Sequence, residues 1–275
     1  MREIKLSLKE PFIPPLDCSV INTDNFYQNS LEEIKALKIW RGNREVSLED
    51  VFSIHEENIS EQGDIKIYIE GDLSKARRIG QGMSFGEIII KGNYGLYLGA
   101  HMKGGKITVY GDCGSWVGVE MEGGFIEVKG NVGDYLASSY RGTTKGMKGG
   151  TILVNGNCGV EACGWMSGGI VKVMGNSGIF PGIHMKGGII YVKGDCAGRA
   201  GANMIAGRVI INGKVDDILP SFKIEEVRGS VKVGDEKIEG PFYVFVGDLS
   251  DEGDGRLFVH VNNNPHLKKY EEYIP

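Results

Sequence analysis

The chain has 275 residues, 43 of them glycine and only 8 proline, with 41% hydrophobic side chains. The glycine share is roughly twice the usual value of about 7%, yet the apolar content and scarce proline exclude a linker or a collagen. A formal net charge of −5 supplies no basic field for nucleic acid or an anionic membrane, so a protein or small-molecule partner is expected.

Residues 1–60 read as a flanking segment with an extended start, a proline-broken stretch "EPFIPPLDCSV" and a short helix. The helix entry "SLEE", Ser30 to Glu33, fits a capping box. "KIWRGNREVSL" then predicts a hairpin turning around Arg41 to Asn43. The start lacks the long apolar core and cleavage site of a leader, and nothing later approaches an apolar span of about 20 residues, so a cytoplasmic protein is expected.

From residue 61 to 219 the chain repeats itself. Runs beginning at Met83, Met102 and Met121 are spaced by 19 residues, as are those at Met147, Met166, Met185 and Met204. A degraded copy, "GDIKIYIEGD" from Gly63 to Asp72, precedes them. The unit reads Met-x-Gly-Gly, an alternating apolar strand, then Gly-Asn or Gly-Asp. Its inward pairs are β-branched at period two, from Ile67 and Ile69 through Ile107 and Val109 to Val209 and Ile211. Glycine at this density forbids a helical solenoid. The expected fold is therefore all-β, a single-stranded right-handed parallel β-helix of about 7–8 turns, each rising about 4.8 Å.

The step from Met121 to Met147 is 26 residues, and the excess lies in or near "SSYRGTTKG", Ser138 to Gly146. A β-helix accepts insertions at corners, so this segment is expected to project from the side. Residues 220–275 then alternate as strands "SVKV", "FYVFVGD" and "RLFVHV", joined by turns containing Gly234, Gly240 and Gly253. Both flanks are expected to cap or brace the repeat.

Stacked repeats turn equivalent residues into columns, which tests each tempting motif. The methionine column reads as core packing. Asn93, Asp112, Asn131, Asn157, Asn176 and Asp195 read as amide stacking and turn capping, because asparagines separate the aspartates. Cys113, Cys158 and Cys196 share a column two turns apart, roughly 9.6 Å, beyond disulfide reach and too far for one metal. With Cys18 and Cys163 they make an odd set lacking C-x-x-C, read as free buried thiols. His101 and His184 occupy equivalent corners four turns apart and cannot chelate together. No G-x-G-x-x-G run occurs, so the glycines read as turn formers. No catalytic, cofactor or metal residue is assigned. Tyr140, Arg141 and Lys145 are candidate partner contacts, since a rigid ring beside a guanidinium suits an interface anchor.

Three stretches, "SLEEIKALKIWRGNREVSLEDVF", "YRGTTKGMKGGTILVNGN" with its repeats, and "FYVFVGDLSDEGDGRLFV", give the chain its resemblance to the C subunit of formylmethanofuran dehydrogenases. The repeat block alone also resembles the C-terminal β-helix domain of glutamate synthase. The first resemblance implies a cytoplasmic archaeal complex that reduces CO2 with ferredoxin-level electrons and fixes it as formylmethanofuran, the first step of methanogenesis from CO2. It implies a tungsten or molybdenum pterin, iron–sulfur clusters and a dinuclear metal site on other subunits, which are pterin, ferredoxin-like and amidohydrolase-like chains. The present chain would be a non-catalytic scaffold among them. Two alternatives remain: the C subunit of a methylotroph formyltransferase/hydrolase complex, and a glutamate synthase-like module.

Overall fold

The computed structural model describes residues 2–57 and 64–275. Gly63 and the segment boundary expected at residue 60 lie outside the described residues. The chain opens with β1 (Arg2–Leu8), β2 (Leu16–Asp17), α1 (Thr23–Gln28), α2 (Leu31–Ala36), the hairpin strands β3 (Lys38–Arg41) and β4 (Arg44–Ser47), α3 (Leu48–Val51) and β5 (Phe52–Glu57). The repeats contribute β6 (Ile65–Glu70), β7 (Leu73–Arg77), β8 (Glu87–Lys91), β9 (Tyr94–Leu96), β10 (Lys106–Val109), β11 (Phe125–Val128), β12 (Thr151–Val154), β13 (Ile170–Val173), β14 (Lys186–Val192) and β15 (Ala206–Ile211). After them come β16 (Lys223–Val233), β17 (Glu236–Gly247), β18 (Gly255–His260) and a 3₁₀ helix, Pro265–Tyr273.

Among the described residues the fold is mostly β, with two sheets. The larger has 13 strands in the order β16-β17-β18-β15-β14-β13-β12-β11-β10-β8-β6-β1-β5. From β1 through β18 every neighbour is parallel, and antiparallel strands close both ends: β5 on β1, and β17 on β18. The register keeps like on like. Ile88 pairs with Ile107, Ile107 with Ile126, Ile126 with Ile152, and Ile152 with Val171. All the inward pairs expected from the sequence, Ile67 and Ile69 through Val209 and Ile211, are fully buried, as is the methionine column. A one-residue slip would turn this whole apolar set to water, so the alternation locks the register.

The flanks do more than cover ends. β1 pairs with β6 so that Ile4 and Leu6 meet Ile67 and Ile69, and β18 pairs with β15 so that Leu257 and Val259 meet Val209 and Ile211. Each flank thus lends the apolar ladder one more parallel strand. The hairpin of β16 and β17 folds its tip over the outer face, forming a second apolar cluster that includes Tyr191, Ile210, Val231, Phe242 and Phe258. Gly234 turns this hairpin, whereas Gly240, expected in a turn, lies inside β17.

At the N-terminal end the capping box forms as expected: Glu33 N–H donates to the Ser30 hydroxyl, and the Glu33 carboxylate accepts from Ser30 N–H. Helix α1 was not legible in advance. The Asn22 carboxamide caps it by accepting from Asn25 N–H at 2.8 Å, and Phe26 anchors it in the core. The hairpin of β3 and β4 turns through Gly42, whose φ of +63° is the left-handed value a tight turn needs. It belongs to the second sheet, β4-β3-β2-β7-β9, which continues along the repeats as single parallel bridges from Tyr94 through Cys113, Val132, Cys158 and Ser177 to Cys196.

Candidate functional site

The corner before each methionine has an unusual backbone. Five residues before the methionine, Arg78, Tyr97, Trp116, Glu161, Phe180 and Arg199 all have φ between +53° and +66°, and Tyr135 holds the equivalent place before the insertion. One residue before it, His101, Glu120, Trp165, His184 and Asn203 have φ between +52° and +60°. Non-glycine residues hold this conformation at a cost unless the surroundings enforce it. Here the enforcement is a ladder between repeats. Arg78 N–H donates to Leu96 O, Tyr97 N–H to Ser115 O, Trp116 N–H to Asp134 O, and Tyr135 N–H to Val160 O.

The ladder stacks side chains into a rigid outer stripe. Tyr97 stacks on Trp116 with ring centroids 5.2 Å apart, and Trp116 on Tyr135 at 4.7 Å. Arg78 covers the Tyr97 ring at 5.3 Å, and Arg141 covers the Tyr135 ring at 5.4 Å while donating to its hydroxyl at 2.8 Å. A guanidinium therefore closes each end. Beyond Tyr135 the carboxylate of Glu161 interrupts the stripe, and a separate stack of Trp165 on His184, at 4.2 Å, continues alongside.

The insertion is built onto this stripe. Ser138 still accepts from Glu120 N–H in the ladder, the chain loops out, and Met147 N–H rejoins it by donating to Ala137 O. The expectation of a projecting segment holds for Arg141 to Lys145, which are exposed, but not for Ser138, Ser139 and Gly146, which are buried in the ladder, nor for Tyr140. Its ring lies 5.6 Å from Tyr97 and 5.5 Å from His101, its N–H donates to the Glu120 carboxylate, and Thr143 Oγ1 donates to the same carboxylate at 3.0 Å. Burial pushes the Tyr140 hydroxyl above its ordinary pKa in spite of nearby Arg78. The physical reason is local: Tyr97 and His101 offer an apolar platform that a solvated ring would leave uncovered. Below the loop a cleft of about 280 Å³ opens between Tyr140 and Arg141 on one side and Trp165 and His184 on the other. The sequence reasoning missed the stripe, although the spacing of Tyr97, Trp116 and Tyr135 carried the signal.

The remaining candidate columns are structural. Asn131 N–H donates to Asp112 Oδ1, Asn157 N–H to Asn131 Oδ1, Asn176 N–H to Asn157 Oδ1, Asp195 N–H to Asn176 Oδ1 and Lys214 N–H to Asp195 Oδ1, all between 2.6 and 2.9 Å. Each side chain thus caps the turn of the next repeat. The preceding glycine makes room, for a Cβ on Gly130 would sit 2.3 Å from Asp112 Oδ1. All five cysteines are free and buried. Burial pushes the Cys158 thiol up to about 12, and raises the thiols of Cys18, Cys113, Cys163 and Cys196 as well, so none is a thiolate at neutral pH. Among the described residues no three His, Cys, Asp or Glu side chains gather as a metal site. The protonated thiols, separated in their column by Val132 and Ser177, do not fit a pterin metal or an iron–sulfur cluster.

No family model matches the sequence. The chain is 50% identical over 269 residues to the C subunit of the tungsten-containing formylmethanofuran dehydrogenase 2 of Methanothermobacter thermautotrophicus, covering 98% of this chain and 100% of that one. It is 44% identical to the corresponding protein of Methanococcus maripaludis, over 97% of this chain and 100% of the relative. The chain belongs to the family of formylmethanofuran dehydrogenase C subunits. Molybdenum-type C subunits match over a shorter stretch, 91 residues at 40% identity for that of Methanothermobacter marburgensis. Among solved structures, a chain of the formyltransferase/hydrolase complex from Methylorubrum extorquens, in complex with methylofuran, superposes with a TM-score of 0.81 at 26% identity, over 93% of this chain and 99% of that one.

Proposed function

We propose that this chain is a non-catalytic scaffold of a formylmethanofuran dehydrogenase, the oxidoreductase complex that fixes CO2 as formylmethanofuran. The observation that carries the reading is the end-to-end match to tungsten-type C subunits. The chemistry of the chain supports it: carboxylates and carboxamides cap turns, thiols are buried and protonated, and His101 and His184 pack against rings. Tungsten or molybdenum pterin, iron–sulfur and dinuclear metal chemistry then belongs to pterin, ferredoxin-like and amidohydrolase-like partner subunits. A cytoplasmic location goes with this reading; among the described residues no helix is long and apolar enough to cross a membrane.

In the same reading the repeats wind as a right-handed parallel β-helix of about 7–8 turns over residues 61–219, flanked by segments 1–60 and 220–275. Two ladders advancing together at the repeat spacing, one of strands and one of bridges, support it. Tyr140, Arg141 and Lys145 form a partner contact, with Tyr140 as the fixed base and Arg141 and Lys145 reaching outward.

The test is purification of the native complex by a tag on this chain, with chains identified by mass and metals by elemental analysis. Co-purification with a pterin subunit, and no stoichiometric metal in the chain alone, are the expected results. A metal retained by the isolated chain would overturn the non-catalytic reading. A second reading, membership of a formyltransferase/hydrolase complex, is favoured by the superposition on the Methylorubrum chain. Partners lacking a pterin subunit would select it.

A further inference from the structure

Past the Arg78 end of the aromatic stripe, a row of paired side chains continues onto the small sheet. The Arg78 guanidinium forms an ion pair with Asp17, and Asp17 lies opposite Trp40 in the register of β2 and β3. Trp40 lies opposite Glu45, and Asp17 opposite Arg77, so one row of side chains crosses the outer face of the small sheet. The alternate residues Leu16, Ile39 and Ala76 point into the core. Trp40 itself is 51% exposed, and Ile13, held between Phe12 and two prolines, is 81% exposed. Pro14 packs against the hairpin turn at Gly42, whose N–H donates to Pro15 O at 2.9 Å, so the ridge carrying Ile13 is pinned to the hairpin carrying Trp40.

We infer that this ridge and hairpin extend the partner contact proposed at the insertion, and that Trp40 is its apolar anchor. The inference rests on the scaffold reading above and adds the chemistry of the partner. Large exposed side chains on a pinned backbone cost little entropy to bind, and tryptophan is the residue most often found carrying interface energy. A hollow lies on either side of the ridge, one lined by Pro11, Ile13 and Lys75, the other by Pro15, Trp40 and Arg77. Charge decides what docks there. The hairpin bears Lys38, Arg41 and Arg44 against the single acid Glu45. Although Arg41 pairs with Glu10, Asp17 pairs with Arg78 and Asp72 lines one hollow, Lys9, Lys75 and Arg77 keep the face basic in a chain of net charge −5. At the other end of the stripe Arg141 and Lys145 are exposed. The occupant is therefore a neighbouring protein subunit that presents an apolar pocket with a rim of carboxylates.

The test uses the full-length chain against the co-expressed remaining subunits, with affinity read at several salt concentrations. Trp40→Ala weakens assembly by about 30-fold or more, as loss of a hot spot does. Arg44→Glu slows association and flattens its salt dependence. Both variants keep the melting temperature of the isolated chain, because neither side chain is buried. Wild-type affinity in Trp40→Ala overturns the proposal while leaving the scaffold reading intact. It also falls if Trp40→Ala turns a dimer of the wild-type chain into a monomer, since the occupant is then a second copy. A wild-type chain that captures none of the remaining subunits overturns the scaffold reading itself.

Discussion

Trp116 and Tyr135 stand one repeat apart and stack with ring centroids 4.7 Å apart and planes 18° from parallel. The contact exists because both residues hold the same left-handed corner, with φ of +61° at each. Trp116 Nε1 is buried without a hydrogen-bond partner. Trp116→Ala, which loses contacts to both neighbouring rings, costs about 2–3 kcal/mol in urea denaturation. Trp116→Phe is close to neutral, because the donor it removes is unpaired in the folded state. A Phe variant as damaged as the Ala variant would mean that the indole N–H has a partner.

Ile126 is fully buried between Ile107 and Ile152. Ile126→Asp places an unpaired carboxylate in that column, at a cost of several kcal/mol, roughly 3–5, and abolishes folding. Circular dichroism and size-exclusion chromatography check this, and a monodisperse β-rich variant would refute it.

Asn131 donates from Nδ2 to Asp112 Oδ1 at 3.0 Å. Asn131→Asp replaces that bond with two stacked carboxylates and lowers stability at neutral pH by about 0.5–1 kcal/mol. The penalty fades as pH falls through the carboxylate range near 4, where the new group is protonated. Paired melts at pH 4 and pH 7 decide the matter: a penalty equal at both would remove repulsion as its cause.

Glu87 bridges Lys66 at 2.7 Å and Lys106 at 3.2 Å. Burial raises its pKa, but hydrogen bonds from the two lysines outweigh burial and leave the carboxyl below its ordinary value. A depressed folded pKa means stability that is fully present above the unfolded value, about 4.3, and lost as pH falls through the lower folded one. Glu87→Gln therefore loses stability at pH 7 and converges on the wild type in acid. Parallel stability curves over that window would show that the bridge contributes nothing.

Tyr140→Ala destabilises the isolated chain by about 1–2 kcal/mol, because the ring packs on Tyr97 and His101. Arg141→Ala with Lys145→Ala leaves the melting temperature almost unchanged and weakens co-purification with partner subunits. Unchanged assembly in that double variant would remove the insertion from the interface.

Period and chemistry were legible along the chain because a repeat stacks like on like. Alternating β-branched residues must turn one face inward, glycine must turn the corners, and asparagine after glycine must cap. From those constraints the inward pairs and the asparagine ladder followed, and in the non-repeating flank the Ser30 capping box and the turn at Gly42 were legible from their own local motifs. The tertiary structure decided where non-repeating residues settle. β1 and β18 joined the parallel ladder because its ends exposed unpaired backbone and apolar side chains that only a matching strand could cover. Tyr140 turned back onto Tyr97 for the same reason, since a ring's resting place depends on a surface assembled from residues distant in sequence. Trp40, Asp17 and Arg78 were brought together by sheet pairing that no local pattern encodes.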